Sequence, residues 1–171
     1  MRNIKHQTCL LLGSNIEPEV NIPQAVSLLQ EKLTILRVSS VWQSASVDCC
    51  YPDYLNLAVL VSTDLDAEQL KEQVLRPLET RMGRVRTEDR NASRTIDIDI
   101  ILFDGQVIDP GLWQHVHQAM PVSEIYPGCR DERGRILRET ARSLAMSTPI
   151  QLRQDVAIHF SPRKLNNQSF S

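Results

Sequence analysis

The stretch Arg94-Thr95-Ile96-Asp97-Ile98-Asp99-Ile100-Ile101-Leu102-Phe103 is the plainest strand in the chain. β-Branched and aromatic residues fill Ile96 to Phe103, and Asp104-Gly105 closes the run as a turn. Side chains alternate between the two faces of a strand. Ile96, Ile98, Ile100 and Leu102 therefore fall on one face, suited to helices packing over them. Thr95, Asp97 and Asp99 fall on the other, which sets two carboxylates two residues apart.

Reading back from that strand, Arg84 to Arg94 is polar, charged and aperiodic, and reads as a loop. Before it, Asp66 followed by Gln69 forms a capping-box pattern that opens a helix through Arg81. Pro77 inside it predicts a kink or early break, and Gly83 a natural end. Tyr54 to Val61 is a second alternating strand, and Ser44 to Pro52 the loop before it. Leu33 to Gln43 has the texture of a strand. Asn21-Ile22-Pro23 resembles a helix start, with Asn21 as cap and Ile22, Val26, Leu29 and Leu33 as an inward stripe. Thr8 to Leu12 is a buried strand stopped by Gly13-Ser14-Asn15. The order β-α-β-β-α-β predicts an α+β fold, a ferredoxin-like sheet with helices on one face, followed by an irregular C-terminal extension.

The chain has 171 residues and a net charge of −2. One domain over residues 1–163 is expected, with a disordered tail over 164–171. The charge balance gives no pull toward nucleic acid or an acidic membrane surface. No apolar run reaches transmembrane length, and the opening residues lack a signal-peptide core, so a cytoplasmic monomer is expected. Cys9, Cys49, Cys50 and Cys129 form no CxxC pair and read as free thiols.

Two carboxylates on one strand face repel unless cations sit between them. Mg²⁺ suits such a pair, because it takes one or two carboxylates together with phosphate oxygens and water. A bare Asp-x-Asp more often marks a solvated acidic face. Here Arg81, Arg84, Arg86, Arg90 and Arg94 lie within a short span upstream, and guanidinium groups bind phosphates in bidentate fashion. The combination reads as a nucleotide-phosphate site, although Arg81 and Arg90 fit a solvated loop paired with Glu88 and Asp89 equally well.

These residues, with others in the same order along the chain, resemble a known family. The matching pieces are Leu12-Gly13-Ser14-Asn15, Val38-Ser39-Ser40, Pro52-Asp53-Tyr54-Leu55-Asn56, Leu78-Glu79, Gly83-Arg84-Val85-Arg86, Arg94 to Ile100, and Glu124-Ile125-Tyr126-Pro127. The set is similar to the 6-hydroxymethyl-7,8-dihydropterin pyrophosphokinases of folate biosynthesis. The resemblance implies transfer of diphosphate from ATP to the pterin's hydroxymethyl group, with AMP released. It implies that Asp97 and Asp99 hold two Mg²⁺ ions. It implies that Glu79, Arg84, Arg86 and Arg94 bind ATP, with Arg84 and Arg94 catalytic. Ser44, Ala45, Val47, Tyr54 and Asn56 would bind the pterin, Tyr54 by stacking.

The chain departs from the family pattern in places. Asn91-Ala92-Ser93 stands where the family carries Trp-Gly-Pro, and Arg76 where it carries Gln. Leu112 to Gln118 is shortened, which puts His117 about where a second stacking Phe is expected and His115 near a late Arg. An imidazole there would change charge near neutral pH. Two other readings stay open: a divergent pterin binder with weak or no kinase activity, and a non-catalytic ferredoxin-like module for protein or RNA.

Overall fold

Two strands with long buried runs, β1 (His6–Ser14) and β4 (Tyr54–Thr63), take the middle of the sheet. β1 pairs antiparallel with both β4 and β5 (Asp97–Phe103). The computed structural model describes residues 4–46, 50–89 and 91–162. β4 pairs on its other side with β2 (Thr34–Val38) and β3 (Trp42–Ser44), which follow one another along it. Two short strands, β6 (Gln106–Val107) and β7 (Ile150–Leu152), flank β5 and β3, giving the order β6-β5-β1-β4-β3-β7 with β2 beside β4. This is the expected ferredoxin-like arrangement. β1 and β4 are buried on both faces, which is why both read as near-continuous apolar runs.

One face of the sheet is covered by α1 (Pro18–Lys32) and a helical run made of α2 (Ala67–Leu70), a π turn (Lys71–Leu75) and α3 (Arg76–Arg81). Ile22, Val26 and Leu29 of the expected stripe are fully buried there, against Leu10, Leu12, Leu57, Ile96 and Ile98. The start of α1 differs from the expectation. The helix begins a turn earlier, after Glu17 at φ 41°, with Pro18 in its first turn. Asn21 instead donates its side-chain amide to the Ile16 carbonyl at 2.6 Å. Two prolines five residues apart both suit a first turn, and sequence cannot say which one serves. Asp66 and Gln69 do form the capping box. Pro77 does not break the helix. The turn before it widens, so that the Arg76 N–H bonds the Lys71 carbonyl, and the missing proline N–H is absorbed there. Gly83, at φ 80°, ends the run, and Arg84 N–H returns to the Glu79 carbonyl at 3.0 Å.

The other face holds the larger corrections. The C-terminal extension is regular: α4 (Val116–Ile125) and α5 (Leu137–Ser147) cover this second face, so helices lie on both. Leu112, Ala119, Val122, Leu137 and Ala141 pack there on Cys9, Leu11, Ala58 and Leu60. The single strand expected over Leu33 to Gln43 is two strands. Its break lies at Ser39, whose N–H bonds the Ala58 carbonyl and whose hydroxyl accepts the Ala58 N–H, both at 2.9 Å. β5 also departs from simple alternation. Leu10 pairs with Ile100 and Cys9 with Leu102, leaving Ile101 as an inserted residue, and the bulge moves Leu102 to the second face. Val47, Cys49, Arg90 and the tail over 164–171 lie outside the described residues.

Candidate active site

α4 and α5 cover the second face only in part. The uncovered strip is fixed by register: Gly13 sits between Asn56 and Asp97, and Leu11 between Ala58 and Asp99. Asn56, Asp97 and Asp99 therefore project from one face into a cleft of about 190 Å³. Gly13 keeps the floor low, since a Cβ on it would come within 3.7 Å of Asn56 Oδ1 and 3.8 Å of the Tyr54 ring. The cleft collects most of the residues expected from sequence: Ser44, Ala45, Tyr54 and Asn56 at one end, Arg94, Asp97 and Asp99 at the other, and His117 over them.

Glu79, Arg84 and Arg86 stand behind that second end rather than in its lining. Arg84 bonds both Glu79 and Asp97, the latter at 2.5 Å. Arg94 bonds the other Asp97 oxygen, and Arg86 reaches Glu79 at 3.2 Å. Glu79 is 4% exposed and also accepts the Ile98 N–H at 2.9 Å, which locks α3 to β5. Burial raises its pKa, and the Ile98 N–H and the arginines oppose that rise. Among the described residues, Asp99 makes no such pair. It is still exposed along the open strip, and partial desolvation there, with the Asp97 and Glu79 charges, pushes its pKa up to about 6. The Gly-Ser-Asn stop of β1 has a visible task. Asn15 Oδ1 accepts the Arg94 N–H at 2.7 Å, and Asn15 N–H returns to the Arg94 carbonyl at 3.1 Å, which aims Arg94 at the cleft.

The other end is neutral. Asn56 is 3% exposed and donates to the Ser44 hydroxyl at 2.9 Å and the Trp42 carbonyl at 3.4 Å. Glu124 of the expected Glu-Ile-Tyr-Pro stretch steadies this wall from outside. It accepts from Trp42 Nε1 at 2.6 Å and from Ser40 N–H at 2.9 Å, tying the start of β3 to α4. His117 lies over the cleft and stacks on His115 with centroids 5.4 Å apart. Its charge differs from the expectation. Burial, then the neighbouring His115, lowers its pKa to about 4, so the ring is neutral where a free imidazole would titrate. Trp113 packs instead with the second core, under the Arg135 guanidinium at 6.0 Å from its ring centre. Gln118 was missed by sequence reasoning. It lines the cleft beside His117, and no motif marks it.

Among the described residues, no group of three or more His, Cys, Asp or Glu stands ready to hold a metal by itself. The paired Asp97 and Asp99, with Asp99 raised by desolvation and then by its neighbour's charge, suit instead a cation that brings its own phosphate oxygens. No described helix is long and apolar enough to cross a membrane.

Comparison with known proteins agrees with the geometry. A family model described as 7,8-dihydro-6-hydroxymethylpterin-pyrophosphokinase matches residues 9–127, well over half of the chain. A Bacillus subtilis protein named 2-amino-4-hydroxy-6-hydroxymethyldihydropteridine pyrophosphokinase is 34% identical over 139 residues, covering 73% of this chain and 79% of that one. Folic acid synthesis protein FOL1 of Dictyostelium discoideum is 33% identical over 128 residues, 69% of this chain but 19% of its own length. Among solved structures, a Plasmodium falciparum HPPK-DHPS crystal structure superposes with a TM-score of 0.67 at 11% identity, a likeness of fold. That match covers 85% of this chain and 46% of the Plasmodium chain, so this chain spans under half of that longer protein. The motifs, the cleft that gathers them and the matched family model converge, and the chain belongs to the 7,8-dihydro-6-hydroxymethylpterin-pyrophosphokinase family.

Proposed function

We propose that this chain carries out the pyrophosphokinase reaction of its family, moving the β- and γ-phosphates of ATP together onto the hydroxymethyl group of 6-hydroxymethyl-7,8-dihydropterin. A bond forms between the hydroxymethyl oxygen and the β-phosphorus, and the bridging oxygen leaves with AMP. The observation that carries this reading is the shared Asp97 carboxylate. Arg84 and Arg94 both grip it at the floor of a cleft whose other end is neutral and aromatic. Phosphoryl-type transfer asks mainly for positioning and charge neutralisation, and arginines placed around the transferred group supply both.

ATP arrival would be an exchange of partners. Arg84, Arg86 and Arg94 are now neutralised by Glu79 and Asp97. Triphosphate oxygens would take over Arg86 and Arg94, and the freed Asp97 would face the incoming cation. Arg84 keeps Glu79, a buried anchor that holds its guanidinium beside the transferred phosphate. Asp97 and Asp99 would hold two Mg²⁺ ions, whose charge neutralises the phosphates and fixes the orientation of the transferred group. At the neutral end, Tyr54 would stack on the pterin, Asn56 and the Ser44–Ala45 backbone would meet its polar edge, and His117 would cover its second face as a neutral ring.

Incubation of the protein with Mg-ATP and 6-hydroxymethyl-7,8-dihydropterin tests the reading. AMP should form in equal amount to diphosphorylated pterin, and chelation of the metal should stop it. Formation of ADP, or AMP formation that survives chelation, would refute it.

A further inference from the structure

We propose that Gln118, oriented by Asp109, presents a hydrogen-bond acceptor to the substrate and reads one N–H of the pterin ring. The proposal rests on the pterin reading of the cleft and adds a specificity element to it. Gln118 is 8% exposed in the first turn of α4, beside His117, and lines the cleft. A primary amide offers two donor hydrogens on nitrogen and an acceptor oxygen. Gln118 Nε2 donates to Asp109 Oδ2 at 3.1 Å. Asp109 is itself fixed, because Oδ1 accepts the Gly111 N–H at 2.8 Å. An ionised carboxylate only accepts, so the amide must turn its nitrogen toward Asp109 and its oxygen away.

That oxygen is the telling atom. Gln118 Oε1 is buried and has no hydrogen-bond partner among the described residues. Folded proteins rarely leave a buried acceptor unpaired, and the exceptions call for an explanation. The surroundings also look built for the pair. A Cβ on Gly111 would fall 3.0 Å from Asp109 Oδ1 and 3.1 Å from Gln118 Nε2, so a residue without a side chain leaves them room. At the neutral end of the cleft, the Asn56 amide hydrogens are already committed to Ser44 and Trp42. The Gln118 carbonyl therefore supplies an acceptor held in place before the substrate arrives. A reduced pterin offers matching donors in its amino group, at N3 and at N8, and the N8 hydrogen disappears when the ring is fully oxidised.

The test titrates 6-hydroxymethyl-7,8-dihydropterin, and separately a non-hydrolysable Mg-ATP analogue, into wild type, Gln118→Met and Asp109→Asn, with melting curves alongside. Gln118→Met keeps the length and removes the acceptor. It should weaken pterin binding about tenfold while nucleotide affinity stays and the melting temperature moves little, since removal of an unpaired buried acceptor offsets loss of the bond to Asp109. Asp109→Asn lets the amide turn either way and should weaken pterin binding by a smaller factor in the same direction. Titration of oxidised 6-hydroxymethylpterin then locates the contact: a penalty that disappears on the oxidised ring marks N8–H, and one that persists marks the amino group or N3–H. Unchanged pterin affinity in a stable Gln118→Met protein would overturn the proposal. So would a parallel fall in melting temperature, nucleotide affinity and pterin affinity, which is the signature of a packing role. A wild-type protein that binds no pterin would instead refute the cleft reading itself.

Discussion

The two faces of the sheet are made from the same strands and treated in opposite ways. On the first, α1 and α3 cover Leu10, Leu12, Leu57, Ile96 and Ile98, and the contact is apolar except where Glu79 of α3 accepts the Ile98 N–H. On the second, α4 and α5 cover Cys9, Ala58, Leu60 and Ile101 but leave Gly13, Asn56, Asp97 and Asp99 facing a cleft. Helices pack on a sheet where the sheet offers apolar surface. Two carboxylates and an amide in the row stop that packing and leave a cavity with a charged end and a neutral end. The first face is closed by packing, and the second keeps an open strip beside its own smaller core.

The sharpest separation of the two faces is expected from Asp97→Asn. It removes a carboxylate gripped by Arg84 and Arg94, the one proposed to meet metal. Loss of such charge stabilisation is worth several kcal/mol, so AMP formation should fall by about a thousandfold or more. Circular dichroism should show the fold unchanged. The mirror experiment is Leu57→Ala on the first face, where the side chain is fully buried. It should cost about 2–5 kcal/mol in denaturant unfolding and leave pterin affinity per folded molecule as it was. Equal damage to activity and stability in both variants would erase the division between faces.

Much of this was legible in the sequence because it follows period two. Alternation along Asp97-Ile98-Asp99 put both carboxylates on one side, and the structure keeps them there. The same rule failed two residues later, since a bulge at Ile101 is a property of the pairing with β1 and leaves no mark in β5 alone. The C-terminal helices were missed for different reasons. α4 hides behind Pro121 in its middle. α5 did carry a signal, Leu137, Ala141 and Leu144 at helical spacing, diluted by its arginines and glutamate. His117 lines the cleft with a pKa lowered away from neutral pH, and the burial by α4's neighbours that lowers it cannot be read from residue order. Gln118 carried no signal, as its meaning depends on Asp109, which a turn brings alongside it.

An intermediate effect should come from Glu124, which links the two walls of the cleft from outside. Glu124→Ala leaves Trp42 Nε1–H and Ser40 N–H without their acceptor. A loss of about 1–2 kcal/mol in stability is expected, with pterin binding several-fold weaker and ATP binding little changed. Glu124→Gln, which keeps one acceptor, should recover part of both. Pterin affinity that ignores Glu124 would mean that β3 is held by its strand pairing alone.

The smallest effect concerns pH. The His117 pKa is lowered from 6.5 to about 4, because burial favours the neutral ring. A depressed folded value makes its contribution to stability full above about 6.5 and lost as pH falls from there through about 4. His117→Phe should therefore flatten the stability curve between about 6.5 and 4 and leave it unchanged above 7. Pterin binding by wild type should show no step from His117 between about 5.5 and 7.5. A step there that His117→Phe abolishes would place a charged imidazole in the cleft.

The central claim, that the uncovered carboxylate strip is where cation and phosphate meet, is tested most directly by melting wild type and Asp99→Asn with and without Mg-ATP. Ligand binding to the folded state alone raises stability by an amount set by concentration and affinity, about 2.7 kcal/mol at a hundred times Kd. Asp99→Asn should melt higher than wild type in the absence of ligand at pH 7.5, since it removes a carboxylate whose ionisation the site resists. Wild type should gain several degrees with Mg-ATP and the variant little. An equal gain in both proteins would show that the nucleotide binds elsewhere, and a variant that melts lower without ligand would show that Asp99 serves the fold rather than the site.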